Sequence, residues 1–434
     1  MIIKISSYSL LLKIKIFLFS TALFGFGLVA MLVTNPTASR LITAPYRAVI
    51  LLFSIIIIFL GLNFSSEKIK TQKIYTGLTR LSPISLLTLF IIIYSFRLIY
   101  DTGYNTTLTK DISEYILTWF GICLLPAISF LFLDIKHSNK YLYFSYLILA
   151  IASVAVSSII FQGQTSRIFI EQGRLGNDIL NPISIGHQSA SLTLICLERL
   201  LIKNRVNSIS NQENKNNKLN LLINIIFMIF GVSLVLFAAS RSPIIALIIC
   251  GSLLIVKLQR QGLNILKIIS ILIFLVLAVN FGLEFVLNSG SSLLERFAST
   301  LNGDEFYDSR FIQRPELYQR AIQLIGENLG TGHGLEIPYV GYPHNLIIEA
   351  FLSTGVLGGF IFVILYVYAL IKSITLIFNK KSSWGWLGIL YIQYAIGAMF
   401  SGSLYGYYTF WYLLFAIIGL KEKIQSNHAK YCID

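Results

Sequence analysis

His344 and Asn345 end a short polar stretch, Gly341-Tyr342-Pro343, and open a long apolar one, residues 346–371; nine residues after Asn345 comes Gly355-Val356-Leu357-Gly358. A histidine in that place is a titratable group held where water meets lipid. With a reference pKa near ~6.5, a neutral imidazole there can take a proton at ambient pH. General base chemistry is therefore open to it.

The arginines are the second set of candidates. Arg40, Arg47, Arg97, Arg167, Arg174, Arg241, Arg296, Arg310, Arg314 and Arg320 all fall on or near one side of the expected membrane topology, the outer one. Positive charge there works against the insertion bias, and this chain tolerates it almost only as arginine. Arginine offers a planar, permanently charged fork that binds phosphate oxygens bidentately. The alternative for any one of them is pairing with a loop acid such as Glu295, Asp304, Asp308 or Glu316. Arg241 stands apart, because Ala239-Ser240-Arg241-Ser242 separates two apolar runs and so lies near membrane level. An ionisable residue at such a depth costs about 2.5–3.5 kcal/mol on insertion scales, which marks it as functional by default, with snorkelling to the headgroups as the plain alternative. Arg174 lies in Gly173-Arg174-Leu175-Gly176-Asn177, ahead of a helix start at Asn181-Pro182.

These residues need a membrane scaffold to position them. The chain is 55% hydrophobic and 12% charged, with a mean hydropathy of +0.73, against about 25% charged residues in an ordinary soluble domain. Apolar runs of bilayer-crossing length recur throughout. They predict an all-α, polytopic helical bundle of about twelve spans: 14–34, 47–64, 83–100, 113–133, 141–161, 182–202, 219–238, 243–257, 264–287, 345–371, 384–400 and 405–420. The whole of 1–434 reads as one integral membrane domain, with a large outer loop, 288–343, between spans nine and ten. In that loop residues 314–327 carry helical periodicity, with Leu317, Ala321, Leu324 and Ile325 on one face. Gly326, Gly330, Gly332 and Gly334 follow as a flexible segment able to lid a site centred on His344.

Charge sets the orientation. With both termini in the cytoplasm, nineteen of the twenty lysines fall inside, Lys110 being the exception; the reverse orientation violates the positive-inside rule. The net charge of +14 thus reads as membrane orientation, and no nucleic-acid partner is expected. Cys123, Cys196 and Cys250 lie within spans and Cys432 in the tail, so no bridge across the outer loops is predicted. Metal-ligand spacing, a phosphate-cradling loop and internal repeats are all missing from the sequence.

The His-Asn-x9-Gly-x-x-Gly pattern, the Ser-Arg-Ser-Pro turn at 240–243, the Gly-Arg…Asn-Pro-Ile segment at 173–183 and the large loop ahead of the histidine together resemble the O-antigen ligase and polymerase superfamily of bacterial membrane glycosyltransferases. The resemblance covers about 165–375. It implies a bacterial inner-membrane enzyme without cofactor or metal, acting on a glycan carried by polyprenyl diphosphate. It implies that His344 acts on the acceptor and that Arg174, Arg241 and Arg310 hold the diphosphate. The acceptor would be a second glycan, making the enzyme a polymerase of oligosaccharide repeats, or lipid A–core, making it a ligase; a chain-length regulator is a candidate partner. Asn345 either orients a sugar or caps its helix, capping being the ordinary use of asparagine there. Glu349, one turn deeper, either polarises the histidine or faces a neighbouring span. Gly355 and Gly358 suit close helix packing more than substrate contact. His333 and His187 are weaker candidates, the latter reading as a satisfied polar residue of span six. A transporter of lipid-linked glycan is the alternative of another class; it calls for internal repeats and mid-bilayer charges.

Overall fold

The computed structural model describes residues 2–31, 36–69, 82–104, 107–161, 173–175, 180–207, 215–260, 284, 292, 314–380 and 382–420. Among these residues the chain is all-α, and its extended pairing is confined to one bridge, Ile337 to Gly341. A bilayer admits this architecture because helices satisfy their own backbone N–H and C=O groups. In chain order the helices are α1 (Ile2–Phe24), α2 (Phe26–Met31), α3 (Pro36–Ile69), α4 (Pro83–Tyr104), α5 (Ile112–Phe132), α6 (Ser138–Phe161), α7 (Pro182–Asn207), α8 (Lys215–Phe237), α9 (Arg241–Arg260), α10 (Arg314–Glu327), α11 (Leu346–Phe378), α12 (Gly385–Ala398) and α13 (Tyr408–Gly419).

Six of these are long and apolar enough to cross a membrane: α4, α5, α9, α11, and the Thr43–Gly61 and Leu219–Phe237 parts of α3 and α8. Of the expected spans, the first, 14–34, is divided between α1 and α2, the ninth, 264–287, lies outside the described residues apart from Glu284, and each of the others falls on a helix. The eighth expected span, 243–257, is a full 20-residue helix that starts at Arg241. The last two, α12 and α13, are 14 and 12 residues long. At ~1.5 Å per residue both are shorter than the ~30 Å hydrocarbon core. They are buried along nearly their whole length, and rings from several helices close around them. Trp411 of α13 packs against Phe90 of α4, Trp119 of α5 and Phe362 of α11 at centroid distances of 5.9, 5.4 and 6.0 Å. Buried indole N–H groups need acceptors; Trp119 donates to Ser95 Oγ at 2.8 Å and Trp411 to the Leu404 carbonyl at 2.7 Å.

Helix α5 is not uniform, since Leu117–Leu124 is wound as a π-helix. Pro126, just beyond it, has no N–H to offer the Ile122 carbonyl four residues back. The Tyr412 hydroxyl of α13 donates to that carbonyl instead.

The bundle has two distinct ends. At one, Trp384 Nε1 donates to the Ile135 carbonyl at 2.9 Å, Trp386 Nε1 to Ser138 Oγ at 2.9 Å, and Lys372 Nζ to the Leu420 carbonyl at 2.6 Å. Lys257 pairs there with buried Glu198, and Arg260 lies over the Phe378 ring. At the other end meet the C-terminus of α4, the N-termini of α9 and α11, helix α10, and the turn between α12 and α13. The candidate residues of the described chain collect at this second end.

Candidate functional site

His344 stands two residues before α11, next to its cap Asn345, and its backbone is left-handed, with φ +58°. Only a few per cent of non-glycine residues adopt such a φ, and the conformation stores on the order of 1–3 kcal/mol that the surroundings must offset. They do so through the next residue. Asn345 Oδ1 accepts from the Ile347 and Ile348 N–H groups at 3.0 and 3.2 Å, capping α11, and its Nδ2 donates to the Met399 carbonyl at 3.3 Å. The capping use of Asn345 is therefore the one observed. The His344 ring stands edge-on to Tyr342, centroids 4.5 Å apart. Its Nδ1 is buried with no hydrogen-bond partner. Burial, and secondarily the charge of Arg314, pushes the imidazole down to about 4. The ring is thus neutral at ordinary pH and available to receive a proton, though as a weaker base than free histidine. Burial and the nearby carboxylates of Glu349 and Glu336 push the Tyr342 phenol up to about 12, so it stays a hydrogen-bond donor.

Of the two readings of Glu349, the structure shows the one in which it faces a neighbouring segment. The side chain is fully buried, and Oε1 accepts from the Leu404 N–H at 2.9 Å. Together with Asn345 on Met399, it fixes the 399–404 turn against the first turn of α11. Glu336, in the loop ahead of His344, is held in the same way by Thr109, whose N–H and hydroxyl lie 3.1 and 2.7 Å from Oε2. Glu349 keeps one buried oxygen, Oε2, without a partner.

The glycine pattern that follows the histidine has a specific cause. Helix α11 breaks at Gly355, where φ is +67° and ψ −167°. The loop ahead of the helix enters the break: Val356 N–H donates to the Leu329 carbonyl at 2.8 Å, and the N–H groups of His333 and Gly334 donate to the Leu352 carbonyl at 2.7 and 3.2 Å. A Cβ at Gly355 would come within 2.3 Å of the Gly330 carbonyl oxygen, so any side chain closes the gap. Gly358 is crowded by its own helix, its Cβ position 2.1 Å from Thr354 Oγ1. The glycine segment expected to be flexible is instead pinned. Arg97 of α4 donates to the carbonyls of Thr331, Gly332 and His333, while pairing at 2.9 Å with Asp101, whose other oxygen accepts from the Leu335 N–H at 2.7 Å. Arg97 is thus an arginine of the outer set that pairs with protein groups. The amphipathic face of α10 packs on this unit through Leu317 and Ala321 against Ile337 and Leu352, which brings Arg314 to the His344 side.

Arg241 opens α9 directly after a turn at left-handed Ala239, φ +44°. Pro243 sits within the first helical turn, where its missing N–H is harmless. The Arg174 segment joins this turn, since the Leu175 N–H donates to the Phe237 carbonyl at 2.8 Å and Leu175 packs with Ala238. The structure therefore brings the segments of Arg174 and Arg241 together; Arg310 lies outside the described residues. A chain of contacts leads from this turn to His344. Ser242 Oγ is 3.2 Å from His187 Nε2, and the His187 ring presses on Gly397 so closely that a Cβ there would sit 2.7 Å from it. Two residues on, Met399 receives Asn345. His187 is less satisfied than its sequence position suggests, because its Nδ1 is buried without a partner. Sequence reasoning missed Tyr342 as the histidine's neighbour and Glu336 as a carboxylate near Tyr342; Tyr342, two residues before the histidine, was the legible signal.

The comparisons follow this geometry. Residues 226–363 match the family model described as O-antigen ligase, which is consistent with the O-antigen polymerase and ligase superfamily. The match begins inside α8, takes in the Arg241 turn, and ends just beyond Gly355 and Gly358. No curated protein matches the chain.

Proposed function

We propose, on the O-antigen ligase match, that this chain is a membrane glycan transferase acting on the outer face of a bacterial inner membrane, with both termini in the cytoplasm. It takes an oligosaccharide from polyprenyl diphosphate and joins it to the hydroxyl of a second glycan, as a polymerase of repeats. The observation that carries this reading is the neutral, strained, partly unpartnered imidazole of His344 at the same end of the bundle as the Arg174 and Arg241 segments.

In this mechanism His344 takes the proton of the acceptor hydroxyl as its oxygen attacks the anomeric carbon. The bond from that carbon to the diphosphate oxygen breaks, and the electron pair leaves with the polyprenyl diphosphate. The anomeric centre inverts, because attack comes from the face opposite the leaving group. Guanidinium groups of Arg241 and Arg174, joined by Arg310, stabilise the growing charge as fixed donors in a partly dry site. Arg314 gives the site a further property. Its charge is one cause of the low pKa of His344, so a diphosphate bound beside it offsets that charge and strengthens the base once the donor is in place.

The ligase reading, transfer to lipid A–core, is favoured by the description of the matched family. One experiment separates the two. A strain lacking the gene is complemented with His344→Ala, and surface glycan and polyprenyl-linked intermediates are extracted. Accumulated single lipid-linked repeats identify a polymerase; long lipid-linked chains that fail to reach lipid A–core identify a ligase. Normal long-chain surface glycan at wild-type expression removes His344 from the mechanism.

A further inference from the structure

Five residues ahead of His344 the chain makes a tight turn around Tyr339. The turn is rigid. Ile337 and Gly341 exchange backbone hydrogen bonds at 2.8 and 3.1 Å, Val340 N–H donates to the Ile337 carbonyl at 3.0 Å, and Tyr339 N–H reaches across to the Thr107 carbonyl at 3.2 Å. At its tip Tyr339 is left-handed, φ +62°, a conformation that is an outlier for a bulky side chain. Tyr339 is 78% exposed. A residue whose only task was to turn the chain would be glycine or asparagine at that φ. A tyrosine that packed against the core would offset the strain by burial. Tyr339 does neither, and strain kept at an exposed position points to a ligand.

The surroundings say which ligand. Thr107 continues the end of α4, where Tyr104 is 79% and Tyr100 59% exposed, with ring centroids 5.2 Å apart. The rim thus carries exposed phenol rings on two segments tied together by the Tyr339–Thr107 bond. Three residues beyond Tyr339, the Tyr342 ring packs on His344. Flat apolar faces edged by hydroxyls match a pyranose, which has an apolar C–H face and a rim of hydroxyls. Tyrosine supplies such a surface with few rotatable bonds, so little entropy is lost on contact.

We propose that Tyr339, with Tyr100 and Tyr104 on the segment to which its turn is tied, is a stacking platform for a pyranose ring of the glycan, a subsite five residues ahead of His344 that holds the sugar chain by its faces. The subsite rests on the glycan-transferase reading, and its test is chosen to fail separately. Tyr100 and Tyr104 alone suit an aromatic belt at the membrane surface; Tyr339, on a loop turn, carries the distinction.

The test uses full-length protein in nanodiscs and, as probe, the oligosaccharide released from the host's own surface polysaccharide by mild acid. Saturation-transfer NMR reads binding, and glycan ladders from complemented cells read product length. Tyr339→Ala should weaken binding by about tenfold and shorten or thin the ladder, while Tyr339→Phe, which keeps the ring face, stays within about twofold of the parent. Tyr339→Gly relieves the backbone strain, so loss of binding in a variant at least as stable as the parent excludes misfolding as the cause. Binding by Tyr339→Ala equal to the parent overturns the subsite, whatever the transfer assay gives. Tyr339-dependent binding in a protein that transfers no glycan keeps the subsite and removes the transferase reading.

Discussion

The two ends of this bundle hold their charges differently. At the end with Lys257 and Lys372, cations are matched one by one: Lys257 to Glu198, Lys372 to the carbonyls that close α13. At the His344 end, every left-handed residue of the described chain is gathered, namely Gly173, Ala239, Gly332, Tyr339, Gly341, His344, Gly355 and Gly402. Buried polar atoms without partners sit among them: His344 Nδ1, Glu349 Oε2 and His187 Nδ1. The first end is arranged for stability. The second gathers the left-handed backbone of the described chain in one place, as a site does before its ligand arrives.

The sharpest way to break this contrast is His344→Gly. Glycine accepts φ +58° at no steric cost, so the variant should unfold no more easily than the parent, yet lose glycan transfer by roughly 10²–10⁴-fold, the usual worth of a general base. Transfer near the parental rate, measured on membranes of equal protein content, would show the strain to be incidental. Next in size is Arg241→Lys, which keeps the charge but loses the fork. Charge-assisted hydrogen bonds contribute ~1.5–3 kcal/mol, so transfer should fall by roughly ten- to a hundredfold with membrane abundance unchanged. Activity equal to the parent would mean that anchoring alone places the residue.

The pH profile gives a smaller effect. With His344 pushed down to about 4, kcat/KM should stay level from pH 8 to pH 5 and fall near pH 4. Folded His344 resists the proton that unfolded His344 takes near ~6.5, so its contribution to stability is complete above that value and is lost as pH drops toward 4. Arg314→Met removes the second cause of the shift and should move the acid limb upward; an unmoved limb would detach Arg314 from the site. The smallest effect on transfer belongs to the opposite end. Lys257→Met strands buried Glu198, and breaking such a pair costs about 3–5 kcal/mol. Detergent-resistant folded protein should therefore decrease, while the rate per folded molecule stays the same. A fall in that rate would couple the two ends and blur the comparison.

Apolar length and period alone made the helices legible, as they must where lipid forbids unpaired backbone. The same signal could not register helix interruptions, because a break leaves composition unchanged. Residues 346–371 read as one apolar stretch, and only the φ of Gly355 reveals the insertion of the 329–334 loop. His344 and Arg241 were legible because charge at a membrane edge is costly. Arg97 carried the same cost and the same position; Asp101, one turn away, was the clue to its pairing. Glu336 was out of reach, since its partner Thr109 lies more than two hundred residues earlier in the chain.

The break in α11 also settles a matter of length. An unbroken helix of 33 residues would run about 50 Å, far beyond a hydrocarbon layer of ~30 Å. Such an excess forces tilt or bilayer thickening. Ending the regular helix at Gly355 leaves residues 356–378, about 34 Å, to match the lipid, and releases the nine residues above to follow the protein instead. Hydrophobic mismatch is thereby relieved at the one point where the chain must present His344, and the segment bearing the histidine is freed from the thickness of the membrane that carries it.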